Sequence, residues 1–431
     1  MKQLLTFLLA LLSHSALATN SPKNIIMIIG DGMGPAYTTA YRMYADDPTT
    51  PEVEQTVFDR LLVGMASTHP DMSSGYITDS AAAATALSTG VKTYIDAIGV
   101  DANKKPVQTV LELAKIQGRK TGIAVTSQIN HATPASFGAH NESRDNYDQI
   151  ADSYFDVKTN GEFVFDVMLG GGWQYFIRKD RNLVEQFKAA GYQYVDELTQ
   201  LDTVKTGTPL LGLFADKGMP WALDSANQLR LPTLAKAAIR QLENDQGYFL
   251  LIEASQIDWA GHANDIGSAM AEMHDLAVTL EWLEKYLVKN PDTLLVATAD
   301  HSTGGMSIAA NGPYLWSPKW LRQLKASPKA ISEEIALSKD RVAVASKLFG
   351  FELGSVEKQH LNAINSENGK DYYPFLKTLL NTRSNTGWTT SGHTGVDVQI
   401  FSKGLGSERF RGHLDNTQIA QTMFELLRAK K

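Results

Sequence analysis

Cysteine is absent from all 431 residues. That excludes disulfides, thiolate metal sites and thiol nucleophiles, so any metal must be held by histidine, carboxylate and hydroxyl groups. Runs of lysine and arginine are also missing, and the formal net charge is −7. No nucleic-acid-binding surface is therefore expected. A mildly acidic chain can still bind phosphate, because bound cations reverse the local field. Beyond the N-terminus no apolar stretch is long enough to span a bilayer. Internal repeats are lacking, and the alanine run Ala81-Ala82-Ala83-Ala84 is the one low-complexity segment.

What is present begins with a basic start, Met1-Lys2-Gln3, and the apolar run Leu4 to Leu12. Ala16-Leu17-Ala18 offers a small-x-small cleavage site. Residues 1–18 thus read as a secretory signal peptide, and the protein as exported, periplasmic or secreted after cleavage near Ala18. The rest, with 43% hydrophobic residues overall, can bury a large core.

Asn24 to Ile29, Gly122 to Ile129, Tyr248 to Ile252, Thr293 to Thr298 and Asp397 to Phe401 read as buried strands. Helical spacing covers Pro106 to Gln117, Arg181 to Ala190, Pro232 to Asn244, Met270 to Val288 and Asn416 to Arg428. Alternating strands and helices predict an α/β fold: an open, mostly parallel sheet with helices on both faces, a three-layer sandwich. Residues 19–431 form one catalytic domain in this reading. From about 310 to 386 the chain is richer in Lys, Ser, Tyr and Trp and lacks buried-strand runs, so it reads as a large insertion covering the body.

Polar clusters follow the strands. The first delivers Gly30-Asp31-Gly32-Met33-Gly34, where glycines on both sides of one Asp permit close approach of the backbone. Asn130-His131-Ala132-Thr133-Pro134 comes next, with Arg144 beyond it. Glu253 leads into Asp258, Trp259 and His262, and Asp258 and His262 share a face if that stretch is helical. Asp300 and His301 follow another strand, while Ser391-Gly392-His393-Thr394-Gly395 precedes the last. Open α/β sheets carry their sites at the carboxyl ends of the strands, so these groups converge there. Thr78-Asp79-Ser80 opens the alanine-rich helix, which places Ser80 where unpaired N–H groups and the positive dipole end favour a phosphate. A serine hydroxyl needs a base or metal to become a nucleophile.

Taken in order, these motifs resemble those of the alkaline phosphatases, from about Asn24 to the C-terminus with the insertion outside the match. The resemblance implies a phosphomonoesterase that hydrolyses small-molecule phosphate monoesters at alkaline pH through a phosphoserine on Ser80, releasing inorganic phosphate. It implies two Zn2+ and one Mg2+. Asp258, His262 and His393 would hold the first zinc; Asp31, Asp300, His301 and Ser80 the second; Asp31, Thr133 and Glu253 the magnesium. Arg144 would clamp the phosphate, and the active form would be a homodimer. Two positions depart from the family's best-known bacterial members, which carry Asp and Lys where this chain has His131 and Trp259. Both are therefore set beside the ligands, not among them. The alternative is a related phosphodiesterase or nucleotide-hydrolysing metalloenzyme; Arg144 with the Thr133/Glu253 site favours monoesters, whose terminal phosphate carries the extra charge.

Overall fold

Continuous apolar runs build the centre of the molecule. In the computed structural model, which describes residues 21–226, 229–365 and 372–429, Ile25 to Ile29 have no exposed surface at all. The expected signal peptide and its cleavage point lie outside the described residues. Ten strands form one sheet: β1 (Asn24–Gly30), β2 (Leu62–Ser67), β3 (Lys120–Gln128), β4 (Val167–Gly171), β5 (Gln193–Val195), β6 (Leu210–Leu213), β7 (Tyr248–Ala254), β8 (Thr293–Thr298), β9 (Val398–Gly404) and β10 (Gly412–Asp415). Their spatial order is β10-β2-β9-β8-β1-β7-β3-β4-β6-β5. All neighbours are parallel except the two pairs made by β9.

Register decides where the chain leaves the sheet. Ile29 of β1 lies opposite Thr298 of β8 and Glu253 of β7, and Glu253 lies opposite Val125 of β3. Three adjacent strands, β8, β1 and β7, therefore end nearly level, β3 runs on to Gln128 beside them, and the segments after them meet at one edge.

The helices that matter are α1 (Pro35–Ala45), α2 (Ser80–Thr89), α3 (Val110–Ile116), α4 (Ala132–Gly138), α5 (Arg230–Leu242), α6 (Gln256–His262), α7 (Ile266–Lys289), α8 (Pro328–Leu337), α9 (Arg341–Phe349), α10 (Ser355–Ala363), α11 (Tyr372–Ser384) and α12 (Asn416–Arg428). Helices α1, α5 and α7 pack together as one layer, and α2, α3, α4 and α12 as another. The helix expected from Pro106 starts only at Val110, because Thr109 caps it: its Oγ1 accepts from Glu112 N at 3.1 Å while Glu112 Oε2 accepts from Thr109 N at 2.8 Å. The long helix begins earlier than its apolar period suggested, at Ile266, where Asp265 accepts from Ser268 N. No described helix is long and apolar enough to cross a membrane.

The segment from 310 to 386 carries α8 to α11. It is closed at its base by a short antiparallel ladder in which Met306 faces Trp388 and Ile308 faces Thr386. Its buried side chains, among them Ile331, Phe349 and Leu376, are continuous with the main core.

Candidate active site

Asp31 is delivered by the end of β1 and is wholly buried. Gly32 follows at φ 70°, and a Cβ there would lie 2.8 Å from Asp258 Cα and 2.7 Å from Thr303 Oγ1. Only glycine allows the three segments to touch. Gly32 N and His301 N both donate to Asp300 Oδ1 at 3.0 Å, which fixes that carboxylate between β1 and β8.

Ser80 is the first residue of α2. Asp79 caps the helix by accepting from Ala82 N at 2.9 Å, and Gly90 ends it in the left-handed region at φ 73°. Ser80 Oγ lies 3.2 Å from His301 Nε2. The same His301 nitrogen is 3.6 Å from Asp31 Oδ1 and 3.3 Å from Asp300 Oδ2, and none of these three side chains is exposed. Asp31, Asp300 and His301 thus form an inner group beside the serine.

The outer group stands on α6 and on a two-residue strand before β9, His393–Thr394, which pairs antiparallel with Ser302–Thr303. His262 Nε2 is 3.4 Å from Asp258 Oδ2, and His393 Nε2 is 3.7 Å from Asp258 Oδ1. The two imidazole Nε2 atoms face each other at 3.1 Å. Their Nδ1 atoms lie 2.5 Å from the carbonyl of Ser391 and 2.8 Å from that of Thr78. Each Nδ1 must be the protonated nitrogen, since a carbonyl only accepts. Two Nε2 lone pairs therefore converge with a carboxylate, an arrangement that calls for a cation. The groups touch: the His301 and His393 rings stack at 3.6 Å, and Asp258, Asp31 and His301 also offer ligand atoms to one point.

A third convergence joins Asp31, Glu253 and His131. Thr133, at the start of α4, is buried beside them. His131, expected only beside the ligands, has a ring atom within their reach. Its Nδ1 is buried with no partner, while Nε2 lies 3.3 Å from Arg144 Nη2. Trp259 packs edge-on against His131, ring centres 6.0 Å apart, and Gly218 leaves room for the indole, since a Cβ there would come within 2.3 Å of it.

Electrostatics explains what these groups can hold. Asp31 Oδ1 and Oδ2, Asp300 Oδ2, Glu253 Oε1 and Thr133 Oγ1 are buried without hydrogen-bond partners. Burial, then the charges of Asp300, Asp258 and Glu253, raise the Asp31 carboxyl well above its ordinary range. Burial pushes Glu253 up to about 7 and raises Asp300. Burial also drives His301 well below its ordinary value and His131 down to about 3, so both rings are neutral at neutral pH. Orphaned oxygens and neutral imidazoles fit divalent cations, which would supply the missing positive charge.

Arg144 Nη1 donates to Asp79 Oδ2 at 3.0 Å, and its backbone N donates to Asp96 O. Asp79 Oδ2 also accepts from Asp96 N at 3.2 Å. Asp79 therefore caps the serine's helix and aims the arginine at once. Local sequence could not show this second role of Asp79, because its arginine partner is 65 residues away. Thr303 was likewise unmarked. Its Oγ1 donates to Asp258 Oδ1 and lies 3.2 Å from His301 Nδ1, tying outer to inner group. Histidines outside the site make pairs of their own, such as His140 with Glu112 and His413 with Asp397.

A parallel sheet whose carboxyl edge gathers buried carboxylates and imidazoles around a helix-borne serine defines a metal-dependent α/β hydrolase. The alkaline phosphatase family model matches residues 22–429. The chain is 46% identical over 416 residues to alkaline phosphatase 3 of Bacillus subtilis, covering 94% of this chain and 89% of that protein. It is 50% identical to the cold-active alkaline phosphatase of a psychrophilic Shewanella sp., with a TM-score of 0.89 over 94% of this chain and 99% of that one. A histidine-to-aspartate variant of TAB5 alkaline phosphatase, with Mg bound in its M3 site, is 26% identical with a TM-score of 0.71, covering 95% and 99%. The chain belongs to the alkaline phosphatase family. It is a metal-dependent phosphomonoesterase, and these relatives support that activity over the diesterase alternative.

Proposed function

We propose that Ser80 is the nucleophile. The observation that carries this reading is its place: first in α2, with Oγ 3.2 Å from His301 Nε2 in the inner group. Ser80 Oγ attacks phosphorus, the bond from phosphorus to the leaving alcohol breaks, and the serine is left phosphorylated. Water then attacks the phosphoserine, which releases inorganic phosphate and restores the hydroxyl. Arg144, with two of its five N–H groups engaged by Asp79 and His131, has donors left to clamp phosphate oxygens. First-turn N–H groups of α2 add to the positive field.

Zinc suits the outer group of Asp258, His262 and His393, and the inner group of Asp31, Asp300 and His301 with Ser80. Magnesium suits the oxygens of Asp31, Thr133 and Glu253. When bound, such cations act as Lewis acids and lower the pKa of oxygen ligands. His131 and Trp259 flank the third position.

Brief incubation with labelled phosphate at acidic pH should label Ser80, and Ser80→Ala should abolish the label and cut turnover by ~10³-fold or more. Label on another residue would sink the assignment. Elemental analysis of active protein should give zinc in excess of magnesium, and full activity in a metal-free preparation would refute the metal roles.

Export rests on the leader-like residues 1–18; N-terminal sequencing of exported protein should begin near Thr19. The 310–386 segment, on the single catalytic domain 19–431, is proposed as a lid or a contact in a homodimer. Tyr314 and Leu315 are exposed there, and aromatic surface is enriched at interfaces. Replacing the segment with a short Gly/Ser linker should change the mass in solution or the activity; if neither changes, both roles fail.

A further inference from the structure

Helix α11 is the last helix of the 310–386 segment, and one of its faces is spent on the end of α6. Tyr373, Lys377 and Asn381 are spaced four residues apart, so they line one stripe of α11. Tyr373 OH donates to Asp265 Oδ2 at 3.2 Å. Lys377 Nζ donates to the carbonyl of Ala263. Asn381 Nδ2 donates to the carbonyl of Asn264 at 2.9 Å and takes the indole N–H of Trp388 on its Oδ1 at 3.1 Å. Three consecutive residues, Ala263 to Asp265, are thus held by three successive turns of one helix.

These are the residues that end α6. Asn264 turns the chain at φ 53°, in the left-handed region. The carbonyls of Ala263 and Asn264 lie past the helix's own last bonds, where a helix end needs outside donors. A lysine at that end also complements the negative pole of the helix. The residue just before this turn is His262. Its ring is anchored through Nδ1 to the carbonyl of Ser391, in the loop that leaves the segment after Trp388. His262 is thus anchored from the segment and from its exit: α11 holds the three residues that follow it, and the loop just past the segment fixes its ring.

We infer that Lys377 and Asn381 are positioning residues for the outer cation site, and that the 310–386 segment sets that site's metal affinity without contributing a ligand. The inference rests on the reading of Asp258, His262 and His393 as that site. It separates the outer group from the inner one, whose Asp31, Asp300 and His301 follow strands of the main sheet and, among the described residues, make no hydrogen bond or ion pair to the segment.

Metal-free, full-length mature protein titrated with zinc against a chromophoric chelator tests this. The binding step that His262→Ala weakens identifies the outer site. In Lys377→Met with Asn381→Leu, zinc should bind that step about 10–100-fold more weakly, with the remaining steps and the metal-free melting temperature little changed. Activity at limiting zinc should fall and return with excess zinc, and Lys377→Arg, which keeps a donor, should stay near the parent. Outer-site affinity equal to the parent's in the folded double variant overturns the inference, as does equal weakening of every step. If the double variant fails to fold, Asn381→Ala alone carries the same prediction, and unchanged outer affinity in it is equally decisive. A parent that binds no zinc removes the site reading and this inference together, whereas a parent that binds and a variant that binds as well removes only the inference.

Discussion

Asp31, Asp300 and His301 hang directly from the ends of β1 and β8 and are fully buried. Asp258, His262 and His393 stand instead on a seven-residue helix and a two-residue strand outside the main sheet, with 42% of the His262 side chain exposed. The inner group inherits its geometry from a ladder of adjacent parallel strands and meets the outer group through Thr303 and the His301–His393 stack. The outer group is assembled from pieces brought in from opposite ends of the chain's second half. Metal chemistry of the inner kind should therefore respond to charge, and of the outer kind to support.

The sharpest way to break this contrast is at Asp31, which the inner and third groups share. Asp31→Asn should lower turnover by ~10³-fold or more and remove more than one equivalent of bound metal. Loss of a single equivalent, with the rest intact, would show that the groups are independent.

Charge in the buried group should also appear without any assay of turnover. In metal-free protein, burial raises Glu253 from 4.5 to about 7. Below pH 4.5 both folded and unfolded chains carry the proton. Between there and about 7 the unfolded chain ionises while the folded one stays protonated, so stability falls as pH rises, and the loss is complete above that value. The size is of order a few kcal/mol for the group. Melting of metal-free protein should decline from pH 5 to 8, and metal-loaded protein should not follow it. A flat metal-free profile would contradict the burial argument.

At the outer group a smaller and repairable loss is expected. His262→Ala should weaken one zinc by about 10–100-fold and recover part of its activity in excess zinc. Irreversible loss together with a collapsed melting temperature would mean that this group is as structural as the inner one.

The third position should give the mildest effect. Arg144 reaches His131, and Trp259 packs on it. His131→Asp with Trp259→Lys adds a carboxylate beside the arginine and a cation beside the phosphate position. The inhibition constant for inorganic phosphate should fall several-fold, and kcat with it if product release limits turnover. Unchanged or weaker inhibition in a stable double variant would show that these positions do not set product affinity.

The same contrast governs how much was legible in the sequence. Asn24 to Ile29 and Thr293 to Thr298 announce buried strands, and each runs straight into its acid, so the inner group could be placed from pattern alone. His393 breaks the rule that site residues follow strands. It precedes β9, and only because β9 runs antiparallel does its starting end reach the shared edge. Nothing in local spacing reports that reversal. Pairings across long separations were equally hidden: Asp79 with Arg144, Thr303 with Asp258, and α11 with the end of α6. The edge strands β5 and β10, and β6 beside β5, are too short for their period to be read. Those contacts arise from packing, which period and propensity do not encode.

A chain with no cysteine has no covalent tie between its distant parts, yet the facing imidazoles of His262 and His393 supply the means for one. The residues converging with them span from Asp31, just past the first strand, to His393, just before β9. Coordination across that span closes nearly the whole polypeptide into loops, and in the chain-entropy picture a tie that closes a long loop restrains the unfolded ensemble most. The catalytic cations then act as removable staples. On this view chelation slackens the topology as well as silencing the chemistry, and the rate of unfolding becomes a measure of how long the metals stay.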